Sequence, residues 1–529
     1  MTKPRRKRWL PPRWIWILLA VIFAAILWLQ VVHPMGDRGF DNVLTMVLGI
    51  LAVAVVVLWF TFLSGHTWWI RLTPLAVLIV GVLVFRSVFR LQYLSGEMVP
   101  SFVPAWSESE APSNVPDAAG GSVDLVTTTA DDFPQFLGPR RDTAVDHVEL
   151  ARDWQSRPPE LVWKRPIGEG WSAFAVVNGT AVTMEQRGDV ELVTAYDLLT
   201  GEPRWSHATP ARYELLIAGT GPRATPTIDD GWVYAQGATG KLVALDGATG
   251  ELRWQHDLLA EYGVSPEVEA EALPYGRSGS PLVAGDLVVV PAGGPPDGRK
   301  VSLVAYDKKT GERVWEGGDQ QISCSSPTLA TLLGVEQVVI VNESSVSGHD
   351  VATGAVLWQH PWGEGRSNAN ANVSQAMPLP PDRVFLSKGY GIGAALIELR
   401  LDGGDFAVEE IWHANQVMRT KFTNPAIHDG YVYGLSDGIL ESIDLATGER
   451  MWKAGRYRQG QVLRVGDLLL VVAESGEVSL VEATPERRNH VLGSFQAVEG
   501  KTWNNPALYG PYLLVRNSAE AACYKLPLA

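Results

Sequence analysis

Seven short clusters of polar and aromatic residues recur along this chain, each a few residues ahead of an apolar run. They carry the side chains best suited to chemistry. They read Gly170-Trp171-Ser172, Arg223 ahead of Thr225-Pro226, Arg277-Ser278 ahead of Ser280-Pro281, and Ser323-Cys324 ahead of Ser326-Pro327. Then come Arg366 with the alternating Asn368, Asn370 and Asn372, Arg419-Thr-Lys421 ahead of Asn424-Pro425, and Lys501-Thr-Trp503-Asn504 ahead of Asn505-Pro506. A guanidinium fork matches a carboxylate in two parallel hydrogen bonds, and an indole offers a stacking face. Brought to one place, Trp171, Arg223, Arg277, Ser278, Asn370, Asn372, Lys421, Trp503 and Asn504 would form a cationic mouth for a small anionic ligand. The same residues can instead satisfy backbone groups and hold water.

Other chemistry finds little footing. His207, His256 and His360 each follow a tryptophan by two residues, a position expected on outer strands, and the ten histidines show no metal-ligand spacing. No Gly-x-Ser-x-Gly, phosphate-loop or dinucleotide fingerprint stands in a usable context. Glu185, within Met184-Glu-Gln-Arg-Gly188, is the best-placed carboxylate. Asn368, Asn370 and Asn372 offer carbonyl ligands but have no acid beside them, so no catalytic residue and no metal site are assigned.

The element that must position these clusters is an eleven-residue phrase that returns five times. Its copies are AYDLLTGEPRW (195–205), ALDGATGELRW (244–254), AYDKKTGERVW (305–315), GHDVATGAVLW (348–358) and SIDLATGERMW (442–452). The Asp positions Asp197, Asp246, Asp307, Asp350 and Asp444 lie 49, 61, 43 and 94 residues apart, the last about two periods. Such periods built of short strands indicate a propeller. Within each phrase a strand ends at Asp, whose carboxylate can accept from turn amides. A Gly then permits the tight reversal, and the outgoing strand ends on Trp205, Trp254, Trp315, Trp358 or Trp452. An indole there can fill the wedge between adjacent blades, so these Asp and Trp residues are read as structural docking groups.

Worn copies around Asp402 and Thr484 complete the series Trp163, Trp205, Trp254, Trp315, Trp358, Trp412, Trp452 and Phe495, which is eight. The last two strands of the chain have no tryptophan strand after them. Residues 160–164 are expected to complete that final blade from the N-terminal side, which removes an open sheet edge. The fold class is therefore all-β, an eight-bladed propeller over 131–529.

The repeated phrase resembles the tryptophan-docking repeat of pyrroloquinoline quinone (PQQ) dehydrogenases and of the non-enzymatic outer-membrane assembly lipoprotein BamB. The stretch Asp132-Phe-Pro-Gln-Phe-Leu-Gly-Pro-Arg-Arg-Asp142 resembles the leader of PQQ-like repeat proteins of planctomycete bacteria. The likeness covers about 131–529, and it implies either a scaffold or a PQQ- and calcium-dependent dehydrogenase of alcohols or sugars. PQQ alcohol dehydrogenases carry a disulfide between adjacent cysteines. Here Cys324 and Cys523 fall in blades four and eight, on opposite sides of the ring, and are not expected to pair. A Cys-x-x-Cys-His haem attachment sequence is absent too.

The first hundred residues are different in kind. A basic tail (1–13) precedes charge-free runs at 14–32 and 43–63, and a third apolar run at 68–85 is interrupted by Arg71. Runs of this length can cross a bilayer core of about 30 Å. Three spans over 14–94 place the basic tail in the cytoplasm and the propeller on the far side of an inner membrane. Residues 95–130, rich in Pro, Gly, Ser and Thr, read as a disordered linker. Residues 1–100 carry a net charge of +7 and the remainder −21, a balance that disfavours nucleic acid as a partner. The expected protein is a membrane-anchored, non-enzymatic envelope scaffold without a cofactor, binding an envelope protein or a small anionic ligand. The alternative is the PQQ-dependent dehydrogenase.

Overall fold

The structure, a computed structural model, describes residues 9–32, 37–107, 111–116, 120–363 and 371–529. It divides into two compact units, Met1–Ser109 and Glu110–Ala529.

The first unit holds three helices, α1 (Arg13–Val32), α2 (Arg38–Leu63) and α3 (Trp68–Val88), each long and apolar enough to cross a membrane. Helix α2 begins five residues before the charge-free run because Asp37 caps it, accepting from the Gly39 amide at 2.7 Å. Beyond α3 the chain forms a hairpin, β1 (Phe89–Leu94) and β2 (Pro100–Pro104). The expected linker is thus corrected at both ends. Ser95 closes the hairpin turn, its N–H donating to the Val99 carbonyl at 2.9 Å. Val123 and Leu125 are buried in the core between the first two blades of the second unit. Pro100 and Pro104 bound a strand rather than lie in a disordered stretch, because the apolar residues between them found partners in β1.

The second unit is an eight-bladed propeller of four-stranded antiparallel blades. Blades one to seven span 175–210, 227–257, 282–317, 328–361, 377–414, 426–456 and 461–496. Blade eight joins three strands of 507–525 to Glu160–Pro166, with Cys523 opposite Trp163, so the ring closes as the repeat count requires.

The recurring phrase explains how neighbouring blades are held. The Asp307 carboxylate accepts from the Lys309 and Thr310 amides at 3.0 and 2.7 Å, and Asp197, Asp246, Asp350 and Asp444 do the same in their turns. The turn then presents Gly311 (φ +74°) to the Trp254 ring of the preceding blade. A Cβ at Gly311 would stand 2.7 Å from the indole. The Trp254 N–H donates to the Lys308 carbonyl at 3.1 Å in that same turn. Trp163, Trp205, Trp315, Trp412 and Trp452 likewise donate to carbonyls of the following blade. Trp358 differs. Its indole donates to Gln337 of its own blade, because the next blade replaces the Thr-Gly turn with a long hairpin at 393–414.

The leader threads the middle of the ring. Phe133 bridges Val176 of blade one, and Ala144–Val145 adds a short parallel strand inside blade seven. Between them Arg141 is buried, donating to the carbonyls of Ser280, Pro281 and Pro327 and to Thr227 and Gln135. Residues 149–151 then bond to 527–529 at the end of the chain.

Candidate functional site

The approach to each inner strand is where blades meet at the axis, and hydrogen bonds there run around the ring. The residues before Pro226, Pro281, Pro327 and Pro425 each accept, through a side-chain oxygen, an amide of the preceding blade. Thr225 accepts from Ala173, Ser280 from Thr225, Ser326 from Ser280 and Asn424 from Gln375, at 2.8–3.2 Å. This accounts for the Thr-Pro, Ser-Pro and Asn-Pro pairs. They satisfy backbone donors that the ring geometry would otherwise leave buried and unbonded.

Two or three residues earlier, side chains turn onto a cavity of about 130 Å³. Trp171, Arg223, Ser278 and Trp503 line it together, as does Cys324. Its floor includes Phe136 of the leader. Trp171 and Trp503 lie 5.0 Å apart and Phe422 continues the arc 4.7 Å from Trp503. The Trp503 indole is fixed by donation to Glu474 at 2.8 Å, and that of Trp171 by donation to the Ala218 carbonyl at 2.6 Å. Arg223 stacks 4.2 Å over the Tyr213 ring while donating to the carbonyls of Ala218, Gly219 and Gly221. Asn424 leaves its amide nitrogen without a partner among the described residues, at the lining.

Several residues expected at the mouth do other work. Arg277 is 1% exposed and pairs with Glu269 at 2.7 Å. The insertion between blades two and three folds into a helix, Pro266–Ala272, which brings that carboxylate to it. Asn504 donates to the carbonyls of Gly170 and Ser172, sewing blade eight to blade one, and Asn372 donates to those of Asn342 and Glu343. Lys421 is buried, 5.6 Å from the Tyr390 ring. Asn370, with Arg366 and Asn368, lies outside the described residues. Glu185 is fully buried and engaged by Arg187, Tyr196 and the Gly168 amide, so it is a structural carboxylate. Cys324 and Cys523 are both buried free thiols.

Sequence reasoning placed Lys501 in its cluster without choosing it as a site residue, and it missed Lys388. The Lys501 ammonium lies 4.2 Å from the Trp503 ring and 4.9 Å from that of Trp171, and burial draws it down to about 8. Burial does the same to Lys388, also to about 8. The Cys324 thiol is pushed up by burial, which keeps it protonated at neutral pH. Lys501 stands two residues before Trp503 in the sequence, but nothing there tells a buried ammonium from a surface one. The site therefore combines aromatic faces, the Arg223 guanidinium, the Lys501 ammonium packed against two of the indoles, and an amide donor without a partner among the described residues. Its described lining contains no acid.

These features define a class, the tryptophan-docked eight-bladed propeller. The family model for outer membrane protein assembly factor BamB matches residues 189–454, half of the chain, and the chain belongs to that family of PQQ-like repeat propellers. The dehydrogenase subunit of a quinone alcohol dehydrogenase from Acetobacter aceti is 36% identical over 292 residues, 52% of this chain and 34% of that protein. BamB of Yersinia pestis is 23% identical over 360 residues, 63% of this chain and 80% of its own. The chain thus spans about a third of the first relative's length and four fifths of the second's. Quinohemoprotein alcohol dehydrogenase from Comamonas testosteroni aligns with a TM-score of 0.52 at 14% identity, over 74% of this chain and 80% of that one, a likeness of fold.

A quinone held by calcium needs several oxygen ligands, carboxylates among them. Among the described residues no three His, Cys, Asp or Glu side chains stand where they could hold a metal ion. The aromatic faces and the Arg223 guanidinium suit a flat anion, whereas the described donor set does not fit the calcium ion.

Proposed function

We propose that this protein is a membrane-anchored, non-enzymatic propeller that serves as a binding scaffold in the cell envelope. Helices α1–α3 hold it in the inner membrane, and the propeller stands on the extracytoplasmic side. What supports the binding reading is the channel mouth, where Arg223, an amide unpaired among the described residues and aromatic faces surround a cavity whose described lining offers no acid to abstract a proton. Such a mouth takes a carboxylate of a small ligand or of a partner's side chain.

The similarity to the Acetobacter aceti subunit favours a second reading, a PQQ-dependent dehydrogenase of alcohols or sugars. Adding PQQ and calcium to the purified protein separates the two. The scaffold predicts no dye-linked oxidation of alcohols or sugars, and a bound quinone spectrum with dye reduction would establish the enzyme. Under the scaffold reading, Arg223→Ala weakens binding of a small aromatic carboxylate measured by calorimetry, while Lys309→Ala on an outer turn leaves it unchanged.

A further inference from the structure

The hairpin that follows α3 has one apolar face. In its register Phe89 stands opposite Pro104 and Leu91 opposite Phe102, so these four side chains share that face. The face continues the helix, because Phe85 at the end of α3 packs 5.2 Å from Phe89 and 5.1 Å from Phe102. Yet Phe85, Phe89 and Phe102 remain 43%, 38% and 46% exposed, and Trp106, just beyond the hairpin, is 73% exposed. Arg86 and Arg90 flank the cluster and are exposed too.

The hairpin does not swing freely. Asn42 near the start of α2 donates to the Glu97 carbonyl in the hairpin turn at 2.8 Å. Arg90 donates to the Ser107 carbonyl at 2.9 Å. The hairpin is thereby held to the end of the unit where α3 finishes and α2 begins. At the opposite end of α3, Trp68 and Trp69 stack 3.7 Å apart and are likewise exposed. From Trp68 to Phe85 the helix rises about 26 Å, close to the thickness of a hydrocarbon core. Aromatic residues gather at both edges of such a core.

We infer that the β1–β2 hairpin lies in the headgroup layer of the membrane, with Phe85, Phe89 and Phe102 at the acyl boundary and Arg86 and Arg90 on lipid phosphates. This rests on the reading of α3 as a membrane span. The occupant is the bilayer because the exposed face is continuous with the apolar helix and is rimmed by cations that complement phosphate. The hairpin would fix the depth and tilt of α3, and it would start the tether toward the propeller at the membrane surface.

The test uses the full chain in vesicles of phosphatidylethanolamine with phosphatidylglycerol, carrying a nitroxide label at Phe102→Cys, Val77→Cys or Lys309→Cys. The unsubstituted protein, whose two cysteines are buried, gives the labelling background. Accessibility to oxygen relative to a water-soluble nickel complex should be several-fold higher at Phe102 than at Lys309, approaching that at Val77 in mid-helix. In the Arg86→Ala, Arg90→Ala variant the Phe102 label should become shallower. A lipid-exposed Val77 with a water-exposed Phe102 overturns the hairpin inference alone, whereas water exposure at Val77 overturns the spanning reading on which it rests.

Discussion

At the scale of single residues, the docking tryptophans are the most consequential side chains. Trp254 is 9% exposed, lies against the turn of the next blade and is tied to it by the Lys308 carbonyl. Trp254→Ala should therefore destabilise the propeller by about 3–5 kcal/mol. Denaturant unfolding checks this, with Lys309→Ala as the near-neutral comparison. Lys501 carries a different expectation. Burial lowers its ammonium from 10.5 to about 8, so anion affinity should fall as pH rises through 8 and beyond. A bound anion, by favouring the charged form, moves that midpoint upward. The sign for folding is opposite. Between about 8 and 10.5 the unfolded chain holds the proton that the folded chain has lost, so this group favours the folded state increasingly as pH rises. Calorimetric titrations at pH 7 and at pH 9 check the binding trend. The docking residues were readable because a repeat states them five times over. Arg277 and Asn504 were misplaced because offset alone cannot say which side chain meets a carboxylate or a carbonyl of the neighbouring blade.

At the scale of elements, the blades were legible down to the closing strand, since eight outer-strand positions and one missing strand leave a single arrangement without an open edge. The leader was visible as a motif but not as a plug. Its burial depends on the width of the axial channel, which the inner strands set together. Arg141 now has a clear structural role, with its donors distributed over three backbone carbonyls and two side chains from several segments. Removing it leaves buried acceptors unpaired, so Arg141→Ala should cost at least about 2 kcal/mol. Arg141→Lys should rescue little, because an ammonium has three donors and no planar fork. Unfolding midpoints of the two variants, compared with Arg140→Ala at the exposed neighbour, test this. The hairpin after α3 was lost in a stretch whose composition reads as linker. Its strands are short, and they are fixed by pairing with each other and by packing on Phe85 of α3 more than by propensity.

At the scale of the whole molecule, the number of spans decides the compartment. Three crossings with the basic tail inside would carry the propeller out of the cytoplasm, as proposed above. Alkaline phosphatase fused after Ala529 should then be active, and a cytoplasmic reporter at the same place should be silent. The reverse pattern would mean two crossings and a cytoplasmic ring. Arg71, which interrupts the third apolar run, need not oppose insertion. It lies in the first turn of α3 and donates to the His66 carbonyl at 2.7 Å, which leaves it near the helix end, where a long cationic side chain can reach the headgroups.

The leader has a mechanical consequence. The chain that arrives from the tether is the same chain that fills the axis and supplies the last strand of the ring. A pull on the anchor therefore travels along the sequence, reaching Asn114, whose carbonyl Arg187 holds, then Val123 and Leu125, then Phe133, then Arg141, and the Glu160–Pro166 strand only afterwards. The plug would then serve as strain relief for the seam. Under load the segment inside the axis should peel before the ring opens, so single-molecule extension from the N-terminal side should record a small early release followed by the cooperative rupture of the blades.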